Sequence, residues 1–188
     1  MTKTKSGLMI MNQGLLSISS STSWPENDFY FRSGVSSFYA RLKPRKETRK
    51  YYFLNLNGSH LRKFLQDFPE INSDSIVIIS TPRLMPLANF WLMESSRVCA
   101  VFESYVSIDT IVSVLNGVGY SGKFTRIIPW MRCNLSAVDV LLLKHYLESG
   151  NMSYMHSQHN RAYSTIQSWK TKLAKKFNVR KLEYLLLN

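Results

Sequence analysis

Along the last third of the chain, apolar residues return every three or four positions. Ala162, Ile166, Trp169, Leu173 and Phe177 fall on one side of a helix spanning residues 163–179. The opposite side carries Ser164, Gln167, Ser168, Thr171, Lys172 and Lys175. Upstream the pattern changes. Short apolar runs read as strands at Gly7–Met11, Asp28–Arg32, Tyr51–Leu54, Ser75–Ile79 and Val98–Phe102. Helical spacing fills the gaps at Val35–Leu42, Ser59–Phe68, Leu84–Glu94 and Ile108–Leu115. Strand–helix units repeated at this length predict a parallel sheet covered on both faces, and five of them predict an α/β flavodoxin-like domain.

The alternation stops near residue 121. Gly122–Asn134 mixes Lys, Arg, Pro129 and Trp130 without a period and reads as a linker. From Leu135 to the last residue the pattern is helical throughout. Ser136, with Asp139 three residues on, is a capping box in variant form and opens a helix through Glu148 that buries Val140, Leu143 and Tyr146 or Leu147. Asn151–His159 reads as a second helix, His159–Arg161 as a turn, and Arg180–Leu187 as a closing helix with Leu182, Leu185 and Leu186 at helical spacing. The predicted organisation is an α/β domain at 1–121, a linker at 122–133 and an all-α domain at 134–188.

Charge sharpens the picture. The 188 residues carry a formal charge of +12 and a pI near 9.8, which favours a polyanionic partner, nucleic acid or an anionic membrane surface. The bias is local: between Asn160 and Leu182 lie Arg161, Lys170, Lys172, Lys175, Lys176, Arg180 and Lys181, with no Asp or Glu. An amphipathic helix with an acid-free outer face suits the major groove of DNA, whereas a solvated surface helix with a charge bias is the plain alternative. Arg41–Lys50 is a second basic stretch, read as a solvated loop or a supplementary phosphate contact. No apolar run approaches the roughly 20 residues that span a bilayer. No helix pairs lysines with a broad apolar face, so no membrane partner is expected. Cys99 and Cys133 fit reduced cytoplasmic thiols.

Catalytic and metal chemistry find little support. Gly117–Lys123 matches GxGxxG and nearly matches a phosphate-binding loop, but Phe124 stands where Ser or Thr must reach Mg²⁺. Its glycines serve better as a helix cap and turn. His60, His145, His156 and His159 do not cluster with the cysteines at zinc-ligand spacing. No enzyme activity and no cofactor are expected.

Ser164–Val179 resembles the recognition helix of LuxR/FixJ-type helix-turn-helix regulators, and Leu135-Ser136-Ala137-Val138-Asp139 resembles that family's opening Leu-Thr-x-x-Glu. On this resemblance Gln167, Ser168 and Thr171 would read bases, while Thr165, Lys170, Lys172, Lys175 and Lys176 would hold phosphates. The first half resembles response-regulator receivers with the phosphorylation chemistry lost. Where the receiver has acidic metal ligands, the acceptor Asp and a Lys, the matching positions are Asn12, Gln13, Asn55 and Glu103. Amides form no acyl-phosphate and bind Mg²⁺ poorly. Ser80 or Thr81 would retain the receiver's hydroxyl.

Phe53–Asn57 and Leu87–Trp91 narrow the resemblance to the fimbrial-operon regulators of enteric bacteria, the EcpR/MatA group, relatives of the auxiliary partners of RcsB. The resemblance implies a cytoplasmic, nucleoid-associated transcription regulator of surface-adhesin genes. It would bind double-stranded DNA as a homodimer, or as a heterodimer with an RcsB-like regulator. An adaptor that binds another regulator and adds only non-specific phosphate contacts is the alternative.

Overall fold

The computed structural model describes residues 22–42, 50–117, 124–125, 135–150, 157 and 160–187. The first half is a five-stranded parallel sheet, β1 (Ser23–Trp24), β2 (Tyr52–Leu56), β3 (Ile76–Ser80), β4 (Val98–Glu103) and β5 (Phe124–Thr125), hydrogen-bonded in chain order. β2, β3 and β4 are almost wholly apolar because both faces are covered, as all-parallel sheets require.

Side chains alternate across the sheet and sort the core into two layers. On one face Phe53, Val77, Ala100 and Phe102 meet Val35 and Phe38 of α1 (Phe29–Arg41), with Ile111 and Leu115 of α4 (Ile108–Gly117). On the other face Leu54, Leu56, Ile76 and Ile78 meet α2 (Leu61–Asp67) and α3 (Met85–Glu94). α2 is short because Pro69 follows it in a 3₁₀ turn, and α3 starts behind Pro82 with Pro86 in its first turn. This parallel sheet with helices on both faces is the layering expected for a flavodoxin-like α/β domain.

In the α/β half the structure differs from the expected elements in two places. Asp28–Arg32 is not a strand. Asp28 is the N-cap of α1, its Oδ1 accepting the Phe31 N–H at 2.9 Å, and Phe29 and Tyr30 stand 75% and 88% exposed on the first turn. Among the described residues the first sheet strand is Ser23–Trp24, and Phe124–Thr125, expected in the linker, joins the sheet beside β4. The expected strand at Gly7–Met11 lies outside the described residues.

The α2–α3 face does not end with the α/β half. Its apolar cluster runs on without a break into Leu135, into Val140, Leu143 and Leu147 of α5 (Ala137–Ser149), and into Leu173, Ala174 and Phe177 of α6 (Tyr163–Lys176) and its C-cap. Leu182 and Leu185 of the C-terminal 3₁₀ turn (Leu182–Leu186) complete it. Each fully buried Leu or Phe in such a cluster contributes roughly 1.5–3 kcal/mol relative to exposure. Two further contacts seat the C-terminal turn. Arg83 Nη1 donates to the carbonyls of Tyr184 and Leu187 at 3.4 and 3.3 Å, and Gly58 lies directly under the turn's backbone. A Cβ at Gly58 would stand 2.8–2.9 Å from backbone atoms of Leu185, Leu186 and Leu187. Among the described residues, no helix is long and apolar enough to cross a membrane.

Gly58→Ala is therefore expected to destabilise the chain by about 1–3 kcal/mol and to loosen the C-terminal turn first. Chemical denaturation measures the first effect, and faster amide exchange at Leu182–Leu186 than in β3 measures the second.

Candidate nucleic-acid interface

α5 begins where the sequence places it. Ser136 Oγ accepts the Asp139 N–H at 3.2 Å, Asp139 Oδ2 accepts the Ser136 N–H at 2.7 Å, and the box is closed. The helix ends at Gly150, whose φ of +59° is the left-handed conformation that glycine adopts without a Cβ clash. The expected helix at Asn151–His159 lies outside the described residues apart from Ser157, which is helical.

α6 packs its back on α5. Ile166 meets Leu142 with Tyr146 and Trp169 beside them, while Leu173, Ala174 and Phe177 enter the main core. Ala162, expected in that stripe, is instead the exposed N-cap residue and forms no side-chain cap. The first turn of α6 also has no acidic residue, so its positive dipole end is not offset there. Such an end is suited to an anion.

The outer face is open. Ser164, Gln167, Ser168, Thr171, Lys172 and Lys175 are all exposed, and Thr165 is half-buried. Thr171 Oγ1 donates to the Gln167 carbonyl at 3.0 Å, so its hydroxyl offers chiefly an acceptor outward. Two of the expected phosphate ligands are already engaged within the chain. Lys176 Nζ meets Asp139 Oδ2 at 2.5 Å, adding a third duty to the capping carboxylate. Lys170 pairs with Glu183 and lies 5.0 Å from the centre of the Tyr146 ring, whose hydroxyl donates to the same Glu183 oxygen at 2.7 Å. Among the described residues, Lys172 and Lys175 are the lysines on this face without an ion pair.

These pairs perturb titration. Hydrogen bonds from Lys170 and then Tyr146 pull the Glu183 carboxyl down to about 2. Burial alone would lower Lys170, but Glu183 and Tyr146 outweigh it and raise the ammonium above its usual range. Burial would likewise raise Asp139, but Lys176 and the Ser136 hydrogen bonds carry it below the usual carboxylate range. The Arg180–Leu187 segment, expected as a closing helix, forms a 3₁₀ turn over Leu182–Leu186. Its buried Leu182 and Leu185 face the rest of the chain, while Leu186 is exposed.

At the sheet edge, the positions expected to match a receiver's phosphorylation site lie apart. Asn55 shares the Phe53 face of β2, beside α1, and its Nδ2 donates to Asp28 Oδ2 at 2.8 Å. Ser80 falls on the other face with Ile76 and Ile78, is fully buried, and donates to the Thr81 carbonyl at 3.1 Å. Glu103 ends β4 opposite Ser80 and accepts the Tyr105 hydroxyl. Asn12 and Gln13 lie outside the described residues. The acid that does stand beside Asn55 is Asp28, missed because Phe29-Tyr30-Phe31 after it reads as a strand. The signal was an Asp three residues ahead of Phe31, a helix N-cap spacing.

The model of the EcpR N-terminal domain matches residues 13–118, more than half of the chain. The chain belongs to the EcpR N-terminal domain family. Among its relatives, the Vi polysaccharide biosynthesis protein TviA of Salmonella typhi is 34% identical over 166 residues, covering 87% of this chain and 93% of TviA. An uncharacterised protein, YqeH of Escherichia coli (strain K12), is 29% identical over 90 residues, 46% of this chain and 43% of YqeH. No solved structure gives a significant match. The EcpR N-terminal domain match ends at the close of α4. The 166 residues aligned with TviA exceed the 118 up to that point, so that likeness extends into the helical half.

The Lys170–Glu183 pair has a measurable consequence. Because the Glu183 pKa is depressed on folding, its stabilisation is present above about 4.5 and lost as pH falls toward about 2. Asp139, also depressed, acts in the same direction below 3.8. Both pairs border solvent and are screened by it, so each contribution is below about 1 kcal/mol. Acid titration of unfolding free energy should show a shallower fall between pH 4.5 and 2 in Glu183→Gln than in the parent chain.

Proposed function

We propose that this chain is a sequence-specific DNA-binding transcription regulator of genes for a bacterial surface structure, fimbrial adhesin or capsular polysaccharide. The observation that carries the reading is the outer face of α6. It is exposed, free of acids, polar in its middle and basic at its end, on a helix whose back is locked into the core. Its resemblance to LuxR-type recognition helices supports the same reading. The polysaccharide biosynthesis role in the name of TviA, and the resemblance to fimbrial-operon regulators, support the choice of target genes. In this reading Gln167, Ser168 and Thr171 meet base edges. A Gln amide can bond adenine in a bidentate manner, and hydroxyls accept several bases. Lys172 and Lys175 hold phosphates directly, with Thr165 at the uncapped end. Lys170 and Lys176 act mainly by keeping α6 seated, through Glu183 and Asp139.

The protein works in the cytoplasm without Asp phosphorylation, as a homodimer or beside an RcsB-like regulator. The absence of an acyl-phosphate chemistry rests on Asn55, an amide already bonded to Asp28.

A second reading, an adaptor that binds another regulator and adds only phosphate contacts, draws support from the internal pairing of Lys170 and Lys176, which thins the basic face. One experiment separates the two: selection of bound duplexes from a random pool at two salt concentrations, with and without an RcsB-like partner. Enrichment of one motif by the chain alone is the expected result; salt-sensitive binding with no motif in either arm would sink the first reading. On the enriched duplex Gln167→Ala should cost about 1–3 kcal/mol, with little loss on random DNA. Lys175→Ala should weaken both to a similar degree and reduce the salt slope by about 1. Equal losses on both duplexes for Gln167→Ala would remove it as a base reader.

A further inference from the structure

At the C-terminal edge of the sheet, α1, α4 and the sheet border a half-open cavity of about 200 Å³. Tyr30, Gly34 and Phe38 line it from α1, Phe53 and Ile79 from the sheet, and Ile111 from α4. Ligands of open α/β sheets bind at this edge. The cavity is apolar. None of the residues lining it is charged, and Asp28 at the cap of α1 is spent, Oδ1 on the Phe31 N–H and Oδ2 on the Asn55 amide. Its hydroxyls, on Tyr30 and Ser104, belong to exposed residues.

Gly34 is the telling position. It sits mid-helix, four residues after Tyr30 and four before Phe38, on the face that lines the cavity. A glycine there weakens the helix more than any residue except proline. A Cβ built on it meets no atom within 4 Å, so packing does not demand glycine. What the glycine does is keep the space empty. Apolar cavities of about 150 Å³ stay dry and take up benzene or xenon.

We propose that this cavity is a binding site for a small, neutral, apolar molecule of one or two rings. A charged molecule is excluded because no charged side chain lines the cavity to pair with it, and a drug-sized ligand is excluded by volume. The exposed ring of Tyr30 lines the cavity, and the exposed ring of Phe29, its centre 6.0 Å away, extends that aromatic surface along α1.

The test uses the full chain with ¹³C-labelled isoleucine methyls, titrated with toluene and indole and, in parallel, with benzoate and benzylamine. The expected result is saturable shifts of the Ile79, Ile108 and Ile111 methyls with the neutral pair. A rise in thermal midpoint of about 3 °C or more at ten times the Kd should accompany them. The charged pair should bind at least tenfold more weakly. Gly34→Leu, which fills the space, should abolish the shifts while unfolding at an equal or higher temperature. Gly34→Ala, whose methyl meets nothing, should fold in any case and weaken toluene binding at least threefold. The proposal is overturned by no shift up to the solubility limit, by equal binding of the charged pair, or by shifts that persist unchanged in both Gly34 variants. It is also overturned by concentration-dependent self-association that Gly34→Leu abolishes, which would put a second copy of the chain in the cleft.

Discussion

The apolar seam between α2 and α5 is the constraint on which the rest of the structure depends. A helical segment of this size buries too little surface to be stable on its own margin. Here its own separate cluster is only Leu142 and Ile166 with Tyr146 and Trp169, while Val140, Leu143, Leu173 and Phe177 share one cluster with Leu54, Phe64 and Ile78. The outer face of α6 is therefore positioned by the α/β half as much as by α5. Gly58 under the C-terminal turn and Arg83 on its carbonyls set how closely the halves approach.

Electrostatics then divide the lysines of α6 into two groups. Charge repulsion among closely spaced ammonium groups would favour fraying of the last turn. Asp139 and Glu183 relieve it by taking one lysine each, and the aromatic ring of Tyr146 shares the second. The helix gains a fixed position and gives up part of its field. The lysines that remain unpaired, Lys172 and Lys175, lie on the same side as Gln167, Ser168 and Thr171, so charge and hydrogen-bonding groups stay together.

Much of this arrangement could be read from residue order, and the failures share a cause. β2, β3 and β4 are continuous apolar runs bounded by turns, and Ile166, Leu173 and Phe177 keep helical spacing, so local pattern was enough. The start of α1 was misread because three aromatic residues in a row look buried. Phe29 and Tyr30 are exposed, and the helix is set by the Asp28 cap and its Asn55 partner 27 residues away. β1 and β5 are two residues each, too short for any period. The pairing of Lys170 and Lys176 was hidden because their acids belong to other segments, and Glu183 lies just past the acid-free window. The empty space at Gly34 has no sequence signature at all, since it depends on how α1, α4 and the sheet meet.

Asp139 closes the capping box of α5 and also anchors the end of α6 through Lys176, 37 residues along the chain. One carboxylate thus ties together Ser136, its own helix and a residue of the next. For divergence among relatives this means that positions 136, 139 and 176 are not equally free to drift. Losing the acid strands a lysine and opens the capping box together, whereas replacing Lys176 leaves the box intact. Exchange at 176 should therefore come before exchange at 139 along any lineage, giving a directional pattern of covariation rather than a symmetric one.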